Sequence, residues 1–547
     1  MSAAHTTGMH HNVDHLVIKP GLLHCWGWMC DEAGPLVDVR LQCILQDGRI
    51  VEQAVQYGSL REDVSDRFAH IPHADASGFL ASVAWNGAEL VSVHLIAITA
   101  TGASRSISLF ETTHGTSDGL SRLRTAFHVG LTLAMRALRL IRHGHFNVLW
   151  DKARRYLAAK PVSVADPLAD LKSVIQPARS GKPALFVIDH DLGGGAPQYR
   201  QQRIAAHVAE GGVALLLTFH VPTLTYAAQV YGAPGTRRLA MPNLDAVLEL
   251  ARQGYIGDIF FNNAVSFPQA ERIPDFLIAL RSIAGGRLTL AVHDFYMLCP
   301  SHFLINASGK FCNVPDTSVC AKCLPKNQEG FVSFFPARDI HLWRREWRRL
   351  INEADELLFF SQSTLQLLRQ AYPDVPVDKL HVKPHSLEYF PARKVLVPAS
   401  SPLRVGVVGN IGKHKGSRIV SGLARAIAER RSDVKITIFG LIDEAVPKEV
   451  VEIMGNYQHA DLPDLIEKSA VNFIFVPSMV PETFSYVTHE IIRMDFPLVC
   501  FDLGAQAEAV RGYSSGRVIP ILEGNALLDA LNTAYESLQS RGEGQNK

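Results

Sequence analysis

Two carboxylates separated by seven residues carry the strongest chemical signal in the chain. Glu482 and Glu490 lie in Val476-Pro-Ser-Met-Val-Pro-Glu482-Thr-Phe484-Ser485-Tyr486-Val-Thr-His-Glu490. The apolar run before Pro477 reads as a strand and the stretch after Thr483 as a helix. Glu482 then stands at or before the helix start, and Glu490 about two turns in. A carboxylate at the strand end can accept hydrogen bonds from sugar hydroxyls, and one further along can hold a ribose diol. Between them, the N–H groups near Phe484, Ser485 and Tyr486 would sit at a helix N-terminus, which suits phosphate oxygens. Carboxylates at this spacing are more commonly a solvated helix face; the strand, the Pro-Ser turn and the aromatic residues narrow the reading.

Two glycine-rich turns add to it. Asp189-His-Asp-Leu precedes Gly193, Gly194 and Gly195, so a backbone could approach a ligand closely there. Val405-Gly-Val-Val-Gly409-Asn410-Ile-Gly-Lys-His-Lys415-Gly416 repeats the pattern, with Lys415 where a strand-to-helix turn could set an ammonium against a diphosphate. Neither is a Walker A loop or a full dinucleotide fingerprint, and a tight turn or an exposed loop lysine would account for each alone. His293 follows the apolar run Leu288–Val292 and reads either as a structural hydrogen-bonder or as a group beside a cleft. Cys299, Cys312, Cys320 and Cys323 have spacing that fits a closed four-thiolate zinc site, structural because no position stays open. An iron–sulfur cluster and unliganded buried thiols are the alternatives.

Together, Gly193 to Gly195, Val292-His293-Asp294, Gly409 to Gly416, Pro477-Ser478 and the two glutamates resemble the retaining GT-B glycosyltransferases, specifically glycosyltransferase family 4, over roughly residues 181–540. The resemblance implies that His293 and Glu482 act at the donor sugar. It implies a donor site formed by Gly194, Gly195, Gly409, Asn410, Lys415, Gly416, Phe484, Ser485, Tyr486 and Glu490. The co-substrate would be a nucleotide sugar. No catalytic metal is expected, because no Asp-x-Asp is placed to bind one. Where the family has an arginine for the diphosphate this chain has Asn410, so the charge would rest on Lys415 and backbone amides. Ser485 replaces a common glycine. A glycan or lipid-linked glycan is the implied acceptor, and no nucleic acid is expected. A GT-B-fold epimerase and a non-catalytic carbohydrate-binding protein are the rival readings.

The elements that must position these residues form a multidomain chain of 547 residues, too long for one core. Residues 1–13 read as a flexible N-terminus and 14–113 as an all-β sandwich, in which Val37, Val39, Leu41, Cys43 and Leu45 alternate before an Asp47-Gly48 hairpin. Trp26 and Trp28 there read better as core than as a sugar platform. Residues 114–180 read as a basic amphipathic helical connector and linker. Nine basic residues face one acid between 119 and 160, which suits an anionic membrane surface or a solvated face. The two Rossmann-like domains of the GT-B unit fall at 181–395, with a four-cysteine insertion at 299–323, and at 396–540, followed by a disordered tail, 541–547. Net charge is +1, from 54 basic and 53 acidic residues, so no global field favours nucleic acid. Without a signal-like or membrane-spanning apolar run, the chain is expected in the cytoplasm, with 118–160 able to dock on the inner face of the membrane.

Overall fold

Leu36–Leu45 and Ile50–Ala54 pair antiparallel about the Asp47-Gly48 turn, where Gly48 takes φ 81°. Val39, Leu41, Cys43 and Leu45 are buried, but Val37 is 64% exposed because a bulge between Leu36 and Asp38 turns it outward. The structure is a computed structural model. It describes residues 8–545 apart from 20–21, 62–63, 66–67, 86–87, 101, 112–160, 179–180, 191–194, 221–222, 224, 235–236, 242, 268–269, 328–337 and 399–401. The basic stretch 118–160, Gly193 and Gly194 therefore lie outside the described residues.

The N-terminal region forms two four-stranded antiparallel sheets. In spatial order one holds Met9–Lys19, Leu22–Asp31, Gly78–Ala84 and Gln56–Ser59; the other holds Ile50–Ala54, Leu36–Leu45, Leu90–Thr99 and Ser104–Glu111. Both contribute to one core, which includes Leu23, Cys25, Phe79, Leu41, Val93 and Leu95. Leu22–Asp31 is buried along nearly its whole length. Its second face lies on the next domain, where Trp26 and Leu80 pack against that domain's core and His24 meets Phe219 edge-on at 6.2 Å. Trp28 is 7% exposed and packs on Phe68, so both tryptophans serve packing.

Residues 161–178, whose prolines read as a linker, are folded into the second domain. Val162–Ser163 pairs with Arg238–Met241, and the helix Pro167–Ala178 buries Leu171 and Ile175. Pro167 is tolerated because it opens the helix, where its missing N–H would have no partner. The parallel core of this domain runs Leu380–Val382, Glu356–Phe359, Leu288–Ala291, Ile256–Phe261, Ala184–Ile188 and Ala214–His220. Antiparallel Thr225–Tyr231 and Arg238–Met241, with Val162–Ser163 beyond them, extend it to nine strands. Ala184, Phe186 and Ile188 face one helical layer, while Leu185 and Val187 face the other. A strand buried on both faces reads as a continuous apolar run, which is why these were visible in the sequence.

The last domain is a six-stranded parallel sheet in the order Val451–Ile453, Lys435–Ile442, Arg404–Ile411, Phe473–Val476, Leu498–Phe501, Gly516–Ile519, again with a core on each face. The two α/β domains meet through specific contacts. Phe484 and Tyr486 enter the apolar cluster formed by Leu185, Ile204, Phe260 and Phe360 of the other domain. Glu508 accepts hydrogen bonds from the N–H groups of Gln362 (3.0 Å) and Ser363 (2.7 Å) at the start of the helix Gln362–Ala371. One domain's carboxylate thus satisfies orphan donors of the other's helix, with the dipole in its favour.

Candidate active site

The candidate residues follow the carboxyl ends of four parallel strands, two in each α/β domain, where ligands bind in doubly wound sheets. After Phe473–Val476 the chain turns through Pro477 to Ser485 into the helix Tyr486–Arg493. Gln506, fully buried, fixes this loop: its side-chain oxygen accepts from Glu482 N (2.9 Å), and its amide donates to Val480 O (2.9 Å). The Glu482 carboxylate is half-buried and has no hydrogen bond or ion pair among the described residues. Next to it, Thr483 Oγ1 donates to the backbone carbonyl of His293 at 2.8 Å. That bond crosses between domains and brings the two residues expected at the reaction centre to one place.

Ser485 caps this helix at φ 66°, ψ 77°. A left-handed backbone costs a non-glycine residue roughly 1–2 kcal/mol, partly offset here by the 2.8 Å bond between Ser485 Oγ and Thr488 Oγ1. Ser485→Gly is therefore expected to raise the melting temperature by a few degrees, for about 1 kcal/mol gained. An unchanged or lowered melting temperature in a calorimetric scan would contradict this.

Glu490 is completely buried. Tyr389 donates its hydroxyl to Oε1, and His459 Nδ1 lies 2.9 Å from the same oxygen. The hydrogen bond to Glu490 holds His459 above the ordinary histidine range. Glu490 Oε2 is buried with no partner among the described residues, and an unpaired buried carboxylate oxygen is costly unless something donates to it.

The turn after Arg404–Ile411 carries Lys415, half-buried and without an acidic partner among the described residues. It leads into the helix Ser417–Glu429, whose first residue is fully buried with its hydroxyl unpaired among the described residues. Gly416 takes φ 85°, and a Cβ there would lie 2.1 Å from Pro477 O. Gly409 (φ 109°) faces open space, but its carbonyl lies 2.1 Å from where a Cβ on Gly440 would be. Asn410 is exposed on the strand. A Cβ on Gly195, which precedes the helix Ala196–Ala209, would strike the Tyr486 ring at 2.7 Å, so the first glycine turn and the glutamate segment touch.

His293 is held from several sides. Nε2 lies 2.8 Å from Asn262 Oδ1, and the ring stacks on Phe360 at 4.5 Å and lies parallel to His385 at 5.4 Å. Burial keeps it neutral, well below its ordinary value. Asp294 turns inward, accepting from Asn263 Nδ2 (2.8 Å) and Tyr296 N (2.9 Å). Asp189 is fully buried and paired with Arg200 at 2.8 Å. The side chains of Phe484 and Tyr486 pack into the apolar cluster where the two domains meet. Tyr389, His459, Gln506 and Glu508 escaped the sequence reading because each lies far along the chain from what it touches.

The zinc expectation finds no support in the structure. Among the described residues no group of three or more His, Cys, Asp and Glu side chains is placed to hold a metal. Cys320 Sγ is directed at Pro315 O (3.6 Å), and Cys323 Sγ accepts from Ala307 N (3.4 Å). Burial pushes the Cys299 thiol up to about 12 and raises those of Cys312 and Cys320, which favours protonated sulfur. The segment is instead held by its own polar contacts, such as Ser301 Oγ to Ile305 O (2.8 Å) and Asn327 Nδ2 to Ile305 O (2.6 Å).

Residues 391–543 match the family described as glycosyl transferases group 1. The group 1 segment contains Lys415, Glu482 and Glu490, while His293 and Gly195 lie outside it. Among solved structures, the chain is similar to Anabaena HepE in complex with UDP-glucose, at 17% identity and a TM-score of 0.41, covering 65% of this chain and 90% of that one. Sucrose-phosphate synthase from Thermosynechococcus elongatus stands at 15% and 0.41, covering 66% and 94%. WaaG, described as a glycosyltransferase involved in lipopolysaccharide biosynthesis, stands at 11% and 0.36, covering 64% and 90%. No curated protein matches the chain. No helix among the described residues is long and apolar enough to cross a membrane.

Proposed function

We propose that the chain transfers a sugar from a nucleoside-diphosphate sugar to a hydroxyl of a glycan or lipid-linked acceptor, with retention at the anomeric carbon and without a catalytic metal. The observation that carries this reading is that the group 1 segment holds three polar groups without protein partners among the described residues: the Lys415 ammonium, the Glu482 carboxylate and Glu490 Oε2. Their chemistry matches the three parts of such a donor. Glu490 Oε2 accepts from the ribose diol, Lys415 and the start of the helix Ser417–Glu429 take the diphosphate, and Glu482 accepts from the sugar's hydroxyls. The acceptor hydroxyl attacks on the face from which the diphosphate leaves, through an oxocarbenium-like state. Charge developing on the diphosphate is met by a fixed cation and helix N–H groups, and preorganisation of that kind is often the largest catalytic contribution. With Asn410 uncharged and exposed, Lys415 carries this load without an arginine.

A thermal-shift screen against UDP-, GDP- and dTDP-sugars tests the proposal. At a hundred times its dissociation constant the right donor should stabilise by about 2.7 kcal/mol, and Lys415→Ala should lose most of that shift. The proposal fails if no nucleotide class shifts the wild type, or if Lys415→Ala shifts equally. Activity abolished by EDTA and restored by manganese would overturn metal independence alone.

A further inference from the structure

The loop that carries the four cysteines does not end at its own domain. Phe303 lies face to face with His414 of the last domain, ring centroids 4.3 Å apart and planes 8° from parallel. His302, beside it, is 5% exposed; its Nδ1 is buried with no partner, and neither ring nitrogen has a hydrogen bond among the described residues. Its ring is within electrostatic reach of His414 and of His190, which follows the strand Ala184–Ile188. His414 in turn feels Lys415 and Glu482. An imidazole from the N-terminal α/β domain thus stands beside the loop expected to take the diphosphate.

The backbone holds it there under strain. Leu304, directly after Phe303, is at φ 55°, and Asn313 and Val314 are at 51° and 48°. Such residues cost about 1–3 kcal/mol each and persist only where surrounding contacts over-determine them. Leu304 is 1% exposed, and its carbonyl accepts from Cys312 N at 2.9 Å. The packed, cysteine-bearing segment therefore fixes the direction in which His302 and Phe303 point.

We propose that His302 and Phe303 are positioning residues for the donor's diphosphate: Phe303 clamps the Gly412–Gly416 turn through His414, and His302 offers an imidazole N–H to a phosphate oxygen. This rests on the donor reading above. Burial and the neighbouring imidazole of His414 hold His302 down to about 3, so it is neutral under working conditions and donates one hydrogen bond without changing charge. The segment acts by reaching across the cleft.

The test is calorimetric titration with the nucleoside diphosphate that stabilises the wild type, and with the matching nucleoside. Phe303→Leu and His414→Leu should each weaken nucleoside-diphosphate binding about tenfold. The double variant should be little weaker than either single one, because both remove the same contact, and Phe303→Tyr should restore affinity. His302→Leu should also lose about tenfold, and His302→Gln, which keeps an N–H donor, should stay within about threefold. Nucleoside affinity and melting temperature should be unchanged throughout, which a merely structural role would not permit. If Lys415→Ala abolishes binding while the His302 and Phe303 variants bind normally, the clamp is wrong and the donor reading stands. Equal losses for diphosphate and nucleoside would also overturn the clamp. If the wild type binds no nucleotide, both fall.

Discussion

Glu482→Gln is expected to lower turnover by about two to three orders of magnitude while leaving nucleoside-diphosphate affinity within about threefold. The substitution removes a charge and little else. Glu482 N is held by Gln506, and Ala505 N donates to Glu482 O at 2.9 Å. A Cβ on Gly504 would lie 2.5 Å from Pro481 Cα, so the two loops are packed backbone to backbone. The loop should therefore keep its shape. The missing carboxylate is the group proposed to accept from the transferred sugar, and losing one preorganised electrostatic contact at a reaction centre typically costs about 2.7–4 kcal/mol in the barrier. Initial rates set against calorimetric affinity decide the matter. An unchanged rate would remove Glu482 from the reaction centre, and a parallel fall in affinity would make it a nucleotide ligand instead.

Gly416→Ala should be among the most damaging single-methyl changes in the last domain. At φ 85° an alanine pays the left-handed penalty, and its Cβ would also sit 2.1 Å from Pro477 O and 2.9 Å from Pro477 Cβ. Neither neighbour is a flexible chain end. The turn is further tied to that segment by Met479 N donating to His414 O at 2.9 Å. A loss of at least about 3 kcal/mol is expected, or roughly ten degrees in melting temperature for a domain of this size, together with loss of nucleotide binding. Gly455→Ala supplies the contrast. Its φ of 82° is similar, but a Cβ there meets open space, so only the backbone penalty of about 1–2 kcal/mol should appear. If both variants melt alike, the close approach to Pro477 has no energetic weight.

How much of this was legible before the structure depended on whether a signal was local. Buried parallel strands showed as apolar runs because both faces are covered, and Leu498–Phe501 falls where its run predicted. The glutamate segment was legible because its strand, turn and helix are consecutive. Ser485 marked a departure from a glycine whose reason, a positive φ, only the backbone reveals. The antiparallel strands Thr225–Tyr231 and Arg238–Met241 were missed, since their half-buried residues make no apolar run. Cysteine spacing alone could not decide for zinc, because it limits how far sulfurs can lie apart and says nothing of where they point. The partners that complete the site were invisible for a related reason. Tyr389 and Glu490 are 101 residues apart, and Thr483 and His293 are 190 apart.

The strand Leu22–Asp31 is covered on one side by its own core and on the other by residues such as Phe219. During synthesis these two coverings cannot arrive together. The first pair of sheets can close once Glu111 has left the ribosome, but Trp26 and Leu80 must wait for the chain around Phe219. At roughly 5–20 residues per second, that leaves an apolar face on a nearly finished domain for several seconds or more. A nascent chain stalled or truncated in that interval would carry the exposed surface that chaperones bind. The N-terminal sheets should therefore be least soluble when expressed alone, despite having a core of their own.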